Sequence, residues 1–71
     1  MQAREIRLLA TEEIRERLND AYRELFALRR ELAMGRLENY NRVEDVKRDV
    51  ARMRTILRER ELAAELIEEA A

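Results

Sequence analysis

The chemistry open to this sequence is dominated by guanidinium groups. Fifteen of its 71 residues are basic, and all of them except Lys47 are arginines. Positive charge is concentrated in the run VKRDVARMRTILRER, from Val46 to Arg60, although the net charge of the whole chain is −1. Arginine presents a planar set of donors that matches a phosphate group and stacks on flat rings. This concentration predicts either a solvated helix face or a surface that contacts a polyanion.

Catalytic groups are scarce. The chain has no His, Cys or Ser, so the usual pairs of nucleophile and base cannot form. No histidine is present to activate the hydroxyl groups, which belong to Thr11, Tyr22, Tyr40 and Thr55. The neighbouring acids Glu12, Glu13 and Glu16 are better explained by the positive end of a helix than by a metal. We therefore expect no enzyme, no metal, no cofactor and no small-molecule substrate.

The apolar residues are too dispersed for a membrane segment. No run approaches the roughly 18–20 apolar residues of a membrane span, and Arg7 interrupts the apolar start of the chain. The absence of Cys fits a reducing compartment. These features predict a cytoplasmic protein without a membrane partner.

Two apolar stripes with a spacing of three and four residues predict two long helices. The first stripe comprises Ile14, Leu18, Ala21, Leu25, Leu28 and Leu32, and the second comprises Val43, Val46, Val50, Met53 and Leu57. The connection between them is short, which favours antiparallel neighbours. We predict an all-α fold, an antiparallel, coiled-coil-like hairpin of two helices with a short N-terminal helix. Tyr22, Phe26 and Leu37 lie off these stripes.

Local signals place the boundaries of this single domain, residues 1–71. We predict helix one at about 12–34, a loop at 35–41, helix two at about 42–66, and an acidic C-terminal tail. Gly35 suits the left-handed end of a helix, while Thr11 and Asn41 are predicted N-caps, Asn41 with Glu44 in a capping box. If the chain turns back at residue 38, each residue of helix one faces a residue of helix two such that the two residue numbers sum to about 75. Ile6, Leu8 and Leu9 are expected to cover the open end near Leu57 and Leu62.

The charges have two interpretations. Many acids and bases stand three or four residues apart, as in Asp45 and Arg48, and such pairs support a solvated helix. Lys47 and Arg54, one heptad apart, have no acid three or four residues further on. Their excess positive charge favours nucleic-acid binding, to which Tyr40 could add base stacking. A coiled-coil module that binds a second copy or another helix is the alternative, and a small enzyme with an arginine-lined anion pocket is a third class.

The motifs, taken in order, resemble the family of the bacterial large-subunit ribosomal protein numbered twenty-nine. They are TEEI, ELFALR, MGRLEN, RV and KRDVARMRTILRERE. The resemblance covers about residues 4–62 without an internal gap. The sequence departs from the family at Arg30 and Glu31, where an aromatic is usual, at Arg36, and at the acids Glu44 and Asp45. Residues 61–71 carry four acids and no base, which lowers the isoelectric point to about 5.6.

The resemblance implies a structural constituent of the large ribosomal subunit, without catalysis. It implies binding to large-subunit ribosomal RNA near the exit of the nascent-chain tunnel, beside the ribosomal protein numbered twenty-three, where chaperones and targeting factors dock. The basic positions that match the family are the expected RNA contacts: Arg29, Arg36, Arg42, Lys47, Arg48, Arg52 and Arg54.

Overall fold

The chain forms a helical hairpin with a short leading helix. A computed structural model describes residues 1–36 and 39–70, so Leu37 lies outside the described residues. Helix α1 spans Ala3–Arg7, α2 spans Thr11–Ala33, and α3 spans Asn41–Ala70. The predicted all-α hairpin with an N-terminal helix is confirmed. Helix α3 continues four residues beyond the predicted end at residue 66, so most of the acidic tail is helical.

Gly35 ends helix α2 in the left-handed conformation that the sequence predicts, with φ of +70°. Its N–H donates to the Leu32 carbonyl at 3.0 Å, and the Arg36 N–H donates to the Glu31 carbonyl at 2.8 Å. These two bonds form a Schellman motif, which satisfies carbonyls that the helix end would otherwise leave free. The chain therefore leaves α2 in a defined direction.

The starts of both long helices differ from the predicted caps. Thr11 is the first residue of α2, after Ala10, and its hydroxyl accepts a bond from Arg60 instead of capping its own helix. At α3, the Asn39 side chain accepts a hydrogen bond from the Asn41 N–H at 2.9 Å, so Asn39 supplies the polar side chain at this end. The predictions for Thr11 and Asn41 were wrong because a cap depends on where the preceding turn leaves the helix.

The core is a line of apolar side chains between the helices. Near the loop, Leu25 packs with Val43, Val46 and Val50. Toward the other end, a second cluster contains Ile6, Ile14, Met53 and Ile56. The stripe of α3 is confirmed from Val43 to Met53, but Ile56 is then more deeply buried than Leu57. Helix α1 lies beside Ile56 and covers that side of α3, which is why the buried face turns there.

Contacts across the hairpin confirm that the helices are antiparallel but shift their register. Arg42 Nε donates to Glu24 Oε1 at 2.6 Å, and Arg60 Nη1 donates to Thr11 Oγ1 at 2.8 Å. The residue numbers of these pairs sum to 66 and 71, whereas a fold at residue 38 predicted about 75. The two sums are therefore 9 and 4 lower than predicted, which corresponds to about two and a half turns and one turn of helix. Leu32, which was predicted to meet Val43, is consequently 38% exposed and belongs to neither cluster.

Helix α1 closes the open end of the hairpin. Ile6 is fully buried and Leu9 packs against the same cluster, as predicted, whereas Leu8 is 88% exposed. Leu62 is also exposed, so the cover stops before it. Arg60 fixes the segment after α1, because its guanidinium donates to the carbonyls of Leu9 and Arg7 as well as to Thr11.

The resulting shape is a thin rod. Its principal extents are 55, 19 and 15 Å, so most side chains reach solvent. Within residues 1–36 and 39–70, no helix combines the length and the apolar character needed to cross a membrane.

Candidate nucleic-acid interface

All seven basic residues predicted to contact RNA are exposed, but they do not form one patch. Arg29 and Arg36 lie at or near the loop end of α2. The other five lie on α3, and helix geometry divides them between two sides. The side that faces α1 carries Arg42, Arg48 and Arg52, while the opposite side carries Lys47 and Arg54.

The first group lines a shallow polar cleft. Arg42, Arg48 and Arg52 share it with Asp45, Asp49 and the N-terminal residue Met1. Arg42 forms the closest pair, with Nη2 at 2.5 Å from Glu24 Oε1 of the facing helix. Arg42 therefore contributes to holding α2 and α3 together as well as to the surface charge.

The ion pairs of the other two arginines in this cleft are loose. Arg48 Nη1 lies 3.8 Å from Asp45 Oδ1, and Arg52 Nη1 lies 3.9 Å from Asp49 Oδ1. Arg52 Nη1 also donates to the Met1 carbonyl at 3.0 Å. Exposed pairs of this kind contribute only about 0–1 kcal/mol, so the two guanidinium groups can exchange these partners for a phosphate at small cost.

The second group, Lys47 and Arg54, lies on the other side of α3, and its two members are separated by two helical turns. Lys47 Nζ is 3.8 Å from Glu44 Oε1, so Lys47 pairs with the preceding turn. Arg54 has no carboxylate within 4.0 Å among the residues that the structure describes. It lines a shallow groove with Arg58 and Thr55. Arg54 is thus the most available guanidinium on α3 for an external anion.

The loop end adds cations and one aromatic ring. Arg36 lines a small depression with Arg30 and Met34. Tyr40 is 54% exposed at the entry to α3, where its carbonyl accepts bonds from the N–H groups of Val43 and Glu44. Its ring is accessible to a base, and its predicted stacking remains a prediction.

Sequence reasoning missed the structural role of Arg60. It is the least exposed arginine of the basic run, and it uses its donors on the chain itself. Its position on α3, seven residues after the core residue Met53, was the available signal, since that spacing returns to the same helix face. Within residues 1–36 and 39–70, no group of three or more potential ligands is arranged to hold a metal ion.

The fold and this surface define a helical-hairpin protein with an apolar interior and cations on its outer faces. Residues 4–60 match the family described as Ribosomal L29 protein. The chain is 55% identical over 64 residues to the large ribosomal subunit protein uL29 of Geobacillus stearothermophilus, covering 90% of this chain and 97% of that protein. The uL29 protein of Clostridioides difficile (strain 630) is 50% identical over 62 residues, covering 87% of this chain and 92% of its own length.

The chain therefore belongs to the ribosomal L29 protein family. This finding confirms the resemblance seen in the motifs. It also confirms the expectation of a structural protein and not an enzyme, because the family consists of ribosomal structural proteins. As a ribosomal protein of bacterial type, the chain is part of the ribosome in the cytoplasm.

Proposed function

We propose that this protein is a structural constituent of the large ribosomal subunit that binds large-subunit ribosomal RNA near the exit of the nascent-chain tunnel. Its family membership carries the proposal. The proposal is also supported by the two surfaces of α3, one apolar and buried, the other basic and exposed. Val43, Val46 and Met53 are almost completely buried, while every predicted RNA-binding residue described on this helix is exposed.

The hairpin explains how so small a protein presents cations rigidly. Packing of the two apolar stripes fixes the rotation of α3, and this rotation decides where each guanidinium points. Arg48, Arg52 and Arg54 then lie on the outside of a helix whose backbone is held by the core. Phosphate neutralisation by such residues supplies sequence-independent affinity, with release of counterions.

The C-terminal end of the rod suits protein neighbours. Leu62, Leu66 and Ile67 are exposed on the last turns of α3, among four acids. A strongly acidic segment is repelled by RNA and is free to face protein. This arrangement supports a position beside the ribosomal protein numbered twenty-three, close to the chaperones and targeting factors that dock at the tunnel exit.

A coiled-coil module was the alternative. Its apolar stripe would have to bind a second copy or another helix, yet the stripes of α2 and α3 already bury each other. No observation on the described residues favours this alternative. Self-association that is insensitive to salt would support it.

Incorporation into large subunits tests the proposal. The triple variant Arg48→Glu, Arg52→Glu, Arg54→Glu should fail to co-sediment with large subunits and should bind large-subunit ribosomal RNA weakly. A matched control, Arg15→Glu, Arg17→Glu, Arg23→Glu, makes the same change of charge on α2 and should incorporate. For the unmodified protein, the logarithm of the binding constant should fall linearly with the logarithm of the salt concentration. Normal incorporation of the first triple variant would overturn the assignment of these residues.

A further inference from the structure

Helix α2 carries two exposed aromatic side chains on the side of the hairpin that α1 leaves open. Tyr22 is 42% exposed and Phe26 is 65% exposed, whereas the neighbouring Leu25 is buried. Each residue turns the helix by about 100°, so Phe26 points sideways from the core and Tyr22, four residues earlier, lies next to it. A largely exposed phenylalanine contributes little to the core and therefore needs another explanation.

Two arginines without an ion pair among the described residues follow this ring on α2. The Arg30 guanidinium carbon lies 6.0 Å from the centre of the Phe26 ring, and Arg29 follows one turn after the aromatic pair. Neither arginine forms an ion pair with any carboxylate of residues 1–36 and 39–70. Two acids that precede the ring or lie beside it on α2 are engaged elsewhere, Asp20 with Arg23 and Glu24 with Arg42. Glu31, which follows Arg30, lines a depression with Arg30 and forms no ion pair with the described residues.

The same side of the hairpin continues onto α3. Helix α1 contacts α3 through Ile56 and Arg60, and Met1 contacts Asp49, which defines the covered side. A cleft on that side joins Asp20 and Glu24 of α2 to Asp49. Each helix also has residues on the other side of its apolar stripe. Because the helices are antiparallel, these residues of α2 and α3 lie on the same side of the hairpin, the side that α1 does not cover. These are Tyr22, Phe26 and Arg29 on α2, with Lys47 and Arg54 on α3.

We propose that Phe26 is a stacking site for an unpaired base of large-subunit ribosomal RNA. Arg29, Lys47 and Arg54 would hold the adjoining phosphates. An exposed ring among cations fits single-stranded RNA, whose bases stack on aromatic side chains while arginines contact its backbone. The charge of the surface favours this occupant over a protein. The inference rests on the proposed function and adds both a residue and a binding mode to it.

Two substitutions of Phe26 distinguish base stacking on the aromatic ring from a simple effect of side-chain volume. Phe26→Leu keeps an apolar side chain but removes the aromatic face, while Phe26→Trp keeps a stacking surface. Both should fold, as checked by circular dichroism, because the side chain is exposed. With transcribed bacterial large-subunit ribosomal RNA as the probe, Phe26→Leu should weaken binding about 5- to 150-fold without changing the salt dependence, and Phe26→Trp should retain affinity.

Cross-linking in assembled subunits identifies the occupant. Phe26→p-benzoylphenylalanine should give an adduct with ribosomal RNA, and the same photoreactive residue at Asp20, on the covered side, should give much less. An adduct with a protein, or none at all, would overturn the stacking site. If the unmodified chain binds RNA and Phe26→Leu binds equally well, only the stacking site is refuted and the proposed function stands. If the unmodified chain does not bind RNA, both the stacking site and the proposed function are refuted.

Discussion

Arg60 is predicted to stabilise the protein far more than any other arginine of the basic run. Its guanidinium donates three hydrogen bonds: to Thr11 Oγ1 and the Leu9 carbonyl at 2.8 Å, and to the Arg7 carbonyl at 3.3 Å. These acceptors all lie in the segment from Arg7, the last residue of α1, to Thr11, the first residue of α2. Among the residues that the structure describes, the substitution Arg60→Ala removes every hydrogen bond between α3 and that segment and leaves the exposed ion pair between Arg7 and Glu59.

The expected loss follows from the environment of each bond. Hydrogen bonds from a charged donor contribute about 1.5–3 kcal/mol each. The bonds to Thr11 and Leu9 are partly buried, so we take the lower value for each, and we assign almost nothing to the exposed bond to Arg7. The sum is about 3 kcal/mol. For a domain of this size, that loss lowers the melting temperature by about 12–24 °C.

Urea and thermal unfolding, followed by circular dichroism on the full chain, measure this difference. Arg58→Ala is the matched control, because Arg58 lies two residues away and forms only an exposed pair with Glu61. It should cost about 0.2–0.5 kcal/mol. Arg60→Lys should fall between the two, since an ammonium group cannot reach all the acceptors. Equal stability of Arg60→Ala and Arg58→Ala would refute the reasoning.

Three further predictions test the core, the turn and the tail. Ile6→Ala should destabilise the protein by about 2–4 kcal/mol in urea unfolding, because Ile6 is fully buried, while Leu8→Ala should be nearly neutral; equal effects would show that α1 is not docked. Gly35→Ala should cost about 1–2 kcal/mol through backbone strain alone, since the space around its Cβ position is open, and Gly35→Asn should cost less. Deleting residues 62–71 should leave the melting temperature almost unchanged and should not weaken RNA binding, because the described part of this segment is exposed and its charge is negative; a large loss of either would assign the tail a structural or RNA-binding role.

The apolar spacing was sufficient to predict which faces of the helices are buried. Leu25, Val43, Val46 and Val50 lie where the heptad pattern places them. Gly35 was also predictable, because only a residue without a Cβ adopts positive φ readily. These signals are local: they depend on the periodicity of one helix or the conformation of one residue.

The candidate site was only partly predictable. The sequence identified seven basic residues as RNA contacts, and all seven are exposed, but it could not show that Arg42 crosses to Glu24. The pair between Lys47 and Glu44, three residues apart on α3, was available from the spacing and was missed. It placed Phe26 off the apolar stripe without showing which neighbours would surround it. Such contacts depend on the rotation of each helix against the other, and a single helix pattern does not contain that information.

By itself, the sequence determined the all-helical hairpin, the absence of the usual catalytic groups and the ribosomal family. The tertiary structure decided the register, which differs by about one to two and a half turns from the predicted pairing and leaves Leu32 outside the core. It also decided that Ile56 and Arg60 face α1. The physical reason is that helix formation follows local periodicity, whereas register follows from the turn geometry and from the joint packing of three helices.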